Sequence, residues 1–204
     1  MIYWICFIIL FPFITILFPT RVVNKKRLPK EKKQNVIIAC NHMSNMDAPL
    51  LAIKFRKKFT YLAKIELFKN KLLGFFMHKF DAIPVDRNKV SLTSIKQVLN
   101  AINKHRHVCI FPQGTRSKAG EIDESVVKDG IALFSLKTGT PVLPMVILKK
   151  PKLFRFNKIV VGELIYPDME RAKDKEYFEE FTKLIINQMN DLLGGENANK
   201  NEGC

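Results

Sequence analysis

The 204 residues suffice for one domain with a sizeable core and at most an appendage. Lys and Arg total 34 against 19 Asp and Glu, a formal charge of +15, which points to an anionic partner such as a lipid surface, an acidic substrate or nucleic acid. Cys6, Cys40, Cys109 and Cys204 show neither CxxC nor regular spacing, which argues against a disulfide framework or a zinc site and for free thiols in a reducing compartment.

Residues 2 to 19 carry no charge and include twelve Ile, Leu or Phe side chains. Those twelve contribute about −4 to −7 kcal/mol towards insertion at the bilayer centre. Eighteen helical residues span about 27 Å, just short of a hydrocarbon core of about 30 Å. Pro12 and Pro19 argue against a straight spanning helix, and spanning and half-inserted arrangements both fit. The segment lacks a basic start and a small-residue cleavage site, unlike a secretory signal. Arg21, Lys25, Lys26, Arg27, Lys30, Lys32 and Lys33 follow, opposed by Glu31 alone. Such a cluster stays on the cytoplasmic side and attracts an anionic leaflet. A hydrophobic membrane helix with a basic juxtamembrane segment is therefore expected over 1–33.

Beyond it, Val36–Cys40 reads as a buried strand and Met46–Phe55 as a helix. Phe59–Lys64 fits a second strand, Glu66–Phe80 an apolar helix containing Gly74, and Ala82–Val85 a short strand running into Asp86 and Arg87. Leu92, Ile95, Val98, Leu99 and Ile102 recur at helical spacing. Val108–Phe111 reads as a strand and Val126–Lys137 as a helix stopping at Gly139. Val142–Ile147 and Ile159–Ile165 read as strands, the first with Pro144, which suits an edge or an irregular position. Phe178, Phe181, Ile185, Met189 and Leu192 line one face of a last helix ended by Gly194-Gly195, before a polar tail expected to be disordered. Strands alternating with helices predict an α/β fold, a mixed sheet flanked by helices. The domain is placed at 34–194 and the tail at 195–204.

Two polar knots follow buried strands: Asn41-His42-Met43-Ser44-Asn45-Met46-Asp47 and Phe111-Pro112-Gln113-Gly114-Thr115-Arg116-Ser117. Strand ends feeding polar loops are where α/β proteins place their chemistry. A histidine titrates near neutrality, and a carboxylate beside it fixes its tautomer and raises its basicity. On one continuous helix, five residues turn a side chain by about 140° net, so His42 and Asp47 would diverge. They meet if His42 lies in the loop and Asp47 in the first helical turn, with Ser44 or Asn45 as N-cap. Arg116, after the turn residues Gly114 and Thr115, supplies a guanidinium suited to phosphate. Together these residues equip a site to move an acyl group onto a hydroxyl of an anionic acceptor.

Four ordered blocks resemble the lysophosphatidate acyltransferases, that is, the 1-acyl-sn-glycerol-3-phosphate acyltransferase family. They are Asn41 to Asp47 (N-H-x4-D), Ile83-Pro84-Val85-Asp86-Arg87, Phe111 to Ser117, and Val142-Leu143-Pro144-Met145-Val146-Ile147. The third departs from the family's F-P-E-G-T-R-S, because Gln113 stands in the place of glutamate. Ala63-Lys64-Ile65-Glu66-Leu67 is also similar to a family segment, and the resemblance spans about residues 35 to 165.

The resemblance implies one acyltransferase domain and a two-substrate reaction. His42 would act as general base on a glycerol hydroxyl, with Asp47 orienting it. Oxyanion donors would come from backbone N–H groups at the helix start beyond His42. Arg87 and Arg116 would bind the acceptor phosphate, Gln113 would hydrogen-bond the acceptor in the place of the family's glutamate, Gly114 and Thr115 would shape that loop, and Lys64 would add charge. The partners implied are a lysophospholipid acceptor, an acyl-CoA or acyl-carrier protein donor and an anionic membrane surface. Neither metal nor cofactor is implied, and the expected place is the cell membrane, catalytic domain towards the cytoplasm. Gln113 keeps hydrogen bonding but loses charge, which bears on acceptor identity rather than reaction type.

Two other readings stand beside it: the same chemistry on another lysophospholipid or an acylated amino-acid lipid, and a basic membrane-binding protein without catalysis. Intact His42, Asp47 and Arg116 speak against the latter. His105 and His107 read as solvated residues and His78 as packing or interfacial. Lys149 to Phe156 mixes basic and aromatic residues without a nucleic-acid recognition motif, which leaves a membrane contact or a solvated loop.

Overall fold

The computed structural model describes residues 11–29, 34–56, 59–86, 91–114, 122 and 130–198. In chain order, its elements begin with a helix at 11–17 (α1), then β1 (Thr20–Val23), β2 (Ile37–Cys40), α2 (Asp47–Phe55) and β3 (Thr60–Lys64). Next come α3 (Lys71–Lys79), β4 (Ile83–Val85), α4 (Leu92–Asn103), β5 (Val108–Ile110) and α5 (Gly130–Thr138). The chain closes with β6 (Val142–Ile147), β7 (Asn157–Val161) and α6 (Lys175–Ala198).

The strands among the described residues form one seven-stranded sheet in the order β1-β7-β6-β2-β5-β3-β4. β6, β2, β5, β3 and β4 run parallel, while β7 is antiparallel to β6 and carries β1 parallel to itself. The mixed sheet flanked by helices is thus as expected. β2 is buried at all four positions, as a parallel strand covered on both faces must be. Ile37 and Ala39 face a core closed by α4, α5 and α6. Ile38 and Cys40 face the opposite core with α2 residues Leu50, Leu51, Ile53 and Phe55. The parallel strands therefore end along one edge, with the His42 loop at its centre.

Several expectations are corrected. Of the first 33 residues, the described 11–29 pack into the domain: β1 is an edge strand, and Arg27 donates to the Val161 carbonyl at 3.1 Å and pairs with Glu163 at 2.9 Å. Among the described residues no helix is long and apolar enough to cross a membrane. α1 lays Ile14 against the α2-side core, with Phe11 and Phe18 packed beside it, while Phe13 and Ile16 point outwards. The apolar stretch is thus partly consumed by the protein's own packing.

The expected helix over Glu66–Phe80 divides into a 3-10 turn at Ile65–Phe68 and α3. Asn70 breaks it, its side chain accepting from Leu72 and Leu73 N–H as an N-cap. α6 continues through Gly194-Gly195 to Ala198, carried beyond the glycines by the helix that precedes them. The helix expected from Val126 is described from Gly130 only.

Pro144 lies on an internal strand, and the irregularity it needs is on the β7 side. Gly162 N–H donates to the Pro144 carbonyl at 2.8 Å, the return bond is missing, and pairing resumes one residue out of register at Val142 and Ile165.

Candidate active site

His42 follows β2 by two residues, and Asp47 opens α2. Nδ1 of His42 lies 2.8 Å from Oδ2 of Asp47, whose side chain is fully buried. The same oxygen accepts from Met43 N–H and Ser44 N–H, each at 2.7 Å. It is thus an acceptor towards the imidazole too, which puts the proton on Nδ1 and leaves Nε2 to serve as base. The ring stacks on Phe111 at 4.2 Å and 25°, and Phe111 in turn on Tyr61 at 6.5 Å. Tyr61 donates to the Ala48 carbonyl of α2 at 2.8 Å. Carboxylate and aromatic stack together fix the plane and direction of the base.

The expected N-cap moves. Met46 is the N-cap, without a side-chain bond, because the carboxylate of Asp47 folds back onto the preceding amides. Ser44 instead accepts from Met46 N–H at 3.2 Å. This corrects the oxyanion expectation for these amides: Met43, Ser44 and Met46 N–H are already committed within the loop.

Asn41 is a residue to which the sequence assigned no role. Its Nδ2 donates to the Ile147 carbonyl at 3.0 Å and its Oδ1 accepts from Ile147 N–H at 2.7 Å, both buried. This pair bolts the His42 loop to the end of β6. Phe111, expected as the end of a strand and part of a block but given no role of its own, stands one residue beyond β5 and borders the site.

Phe111 to Gly114 forms a turn closed by Gly114 N–H on the Phe111 carbonyl at 3.0 Å, with Gly114 at φ 64°, a conformation that suits glycine. The turn presents Gln113, which is 8% exposed, so that its Oε1 accepts from His42 N–H at 3.5 Å. Gln113 and Gly114 therefore sit beside the base.

Lys64 ends β3, two strand positions from β2 and roughly 10 Å away across the sheet. Its ammonium pairs with Glu66 at 3.3 Å. A hydrogen bond from the backbone of Glu66 itself, then the Lys64 side chain, hold the exposed Glu66 carboxyl below its ordinary range. Arg87, Thr115 and Arg116 lie outside the described residues, so the structure does not place the expected phosphate ligands.

Cys40 and Cys109 are buried free thiols raised by burial from their ordinary range. Among the described residues no three potential metal ligands gather. His107 departs from the solvated reading: its Nδ1 accepts from Val36 N–H at 3.2 Å. His78 packs edge-on against Phe68.

A base oriented by a buried acid, at the carboxyl end of a central parallel strand, suits removal of a proton from a hydroxyl. The Acyltransferase family model matches residues 19–148. A 1-acyl-sn-glycerol-3-phosphate acyltransferase of Borreliella burgdorferi is 30% identical over 176 residues, 82% of this chain and 69% of that protein. The chain belongs to the lysophosphatidate acyltransferase family. A second relative of that name, from Bacillus subtilis, is 28% identical and covers 84% of this chain and 87% of its own length. The solved 1-acyl-sn-glycerophosphate acyltransferase of Thermotoga maritima superposes with a TM-score of 0.64 at 22% identity, covering 86% of this chain and 72% of that one. That likeness speaks for the fold. As a lysophosphatidate acyltransferase family member the protein is an O-acyltransferase, and the hydroxyl is its nucleophile.

Proposed function

We propose that the protein transfers a fatty acyl group from an acyl thioester to the free hydroxyl of 1-acyl-glycerol-3-phosphate, giving phosphatidate at the cytoplasmic face of the cell membrane. The observation that carries this is the 2.8 Å His42–Asp47 contact at the end of β2, with Nε2 as the base nitrogen. His42 takes the proton of the acceptor hydroxyl as its oxygen attacks the thioester carbonyl. The tetrahedral adduct collapses, the carbon–sulfur bond breaks, and the imidazolium returns its proton to the departing thiolate. Asp47 holds the imidazolium in place through both steps.

The relatives' names support lysophosphatidate as acceptor, and the proposed donor is acyl-CoA or acyl-carrier protein. Arg87 and Arg116 are proposed to grip the phosphate, with Lys64 adding charge, Gln113 hydrogen-bonding the acceptor, and Gly114 and Thr115 shaping the loop. A guanidinium fork binds two phosphate oxygens at once, which an ammonium cannot. Neither a metal nor a cofactor has a step in this scheme.

The test is turnover by purified protein offered several lysolipids, with acyl-CoA and with acyl-carrier protein. Lysophosphatidate should be the preferred acceptor, and His42→Ala should reduce the rate roughly 10²–10⁴-fold with the fold intact. Asp47→Asn should cost less, since it leaves the base in place. Near-normal turnover by His42→Ala would sink the mechanism, and faster reaction of another lysolipid would replace the acceptor.

A further inference from the structure

β6 leaves the sheet at Ile147 and β7 returns at Asn157, on the same edge as the His42 loop, because β6 and β2 are parallel neighbours. The Asn41 carboxamide links that loop directly to Ile147. The base of the β6–β7 loop is pinched by Asn157, which donates to the Lys149 carbonyl at 2.6 Å and accepts from Lys149 N–H at 3.1 Å. Beyond the pinch, Leu153, Phe154 and Phe156 are 57%, 71% and 58% exposed. Phe154 has φ at 56°, a region that bulky side chains avoid. Its N–H is held there by the carbonyl of Leu17, the last residue of α1, at 2.7 Å. Phe154 thus combines a strained backbone with a phenyl ring held in water at the catalytic edge.

Lys150, Lys152 and Arg155 alternate with these rings and are also exposed. No Asp or Glu occurs from Leu148 to Gly162, so the tip carries charge of one sign. On the neighbouring α1, Phe13 and Ile16 continue the apolar patch at 61% and 68% exposure. Rings interleaved with cations match a bilayer interface bearing anionic headgroups. The rings can enter the acyl boundary while the cations remain at the phosphates.

We propose that the tip of the β6–β7 loop is a membrane-insertion wedge that seats the His42 edge on an anionic bilayer, so that a lysolipid enters the site from that bilayer. This rests on the membrane-associated reading above and names its contact surface.

The test uses the full chain with Phe154→Trp in a Trp4→Phe background, since Trp4 is the sole tryptophan. Vesicles of phosphatidylglycerol and phosphatidylcholine, with and without brominated acyl chains, are the probe. The introduced indole should shift to shorter emission wavelength and lose at least half its intensity to the brominated lipid. Combined Leu153→Ser, Phe154→Ser and Phe156→Ser substitutions should lower vesicle partitioning at least tenfold. They should slow transfer to a vesicle-borne acceptor similarly, while melting temperature and the rate on a short-chain, water-soluble lysophosphatidate hold. Vesicle binding with unshifted emission overturns the wedge and leaves the membrane reading standing; no vesicle binding overturns both. An equal loss on the soluble acceptor makes the tip structural, and a dimer or protein complex covering the tip gives the patch to another partner.

Discussion

At Asp47 a single carboxylate oxygen gathers the His42 ring and two backbone amides, all within 2.8 Å. The five-residue spacing was readable because a continuous helix forbids the meeting and a loop-to-helix junction permits it. The cap was not readable, since Ser44, Asn45 and Asp47 all suit the start of a helix and only the folded loop decides which oxygen reaches which amide. Asn41 illustrates a second limit: its partner is the backbone of Ile147, which has no sequence signature. Removing that carboxamide leaves a buried N–H and a buried C=O unpaired. Asn41→Ala should therefore cost about 2–4 kcal/mol of stability in urea titration and loosen the His42 loop. A loss below about 0.5 kcal/mol would show that water replaces both bonds.

Among the elements, α4 was legible from its apolar period, and Ser91 caps it by accepting from Ser94 N–H at 3.1 Å. The stretch before it was misread as one helix because Ile65–Phe68 and Lys71–Lys79 are both apolar, and the break depends on a cap at Asn70. Gly74 explains how the two pieces fit. A Cβ there would stand 2.6 Å from the Phe68 carbonyl oxygen, so α3 sits directly on the backbone of the 3-10 turn. In an exposed helix, Gly→Ala gains roughly 0.5–1 kcal/mol. Here the added methyl meets backbone that cannot rotate away, and overpacking of this kind costs about 1–3 kcal/mol. Gly74→Ala should lower the melting temperature; an unchanged or raised value would mean that α3 is not held against Phe68.

For the whole molecule, alternating strands and helices announced the α/β class, yet strand order lay beyond the sequence. β1 shows why: Thr20–Val23 reads as the basic flank of an apolar segment, and its identity as a strand comes from pairing with distant β7. The same long-range closure buries Cys40 and Cys109 completely within the α2-side core. Burial raises the Cys40 thiol well above its ordinary value of 9.0, helped by Cys109 and then Asp47; burial and then Asp47 raise Cys109 likewise. Both therefore stay protonated in the folded chain at a pH where the unfolded chain ionises them. Their contribution to stability is complete below about pH 9 and is lost as pH climbs from there towards the raised folded values. Iodoacetamide at pH 8 should leave both unmodified in folded protein and label both in guanidinium. Between pH 9 and 10.5, the stability of Cys40→Ala/Cys109→Ala should fall less steeply than that of the parent, by up to about 1.4 kcal/mol per pH unit for each thiol as the unfolded thiol becomes fully ionised. Parallel slopes would show that the sheet opens enough at alkaline pH to ionise these thiols without unfolding.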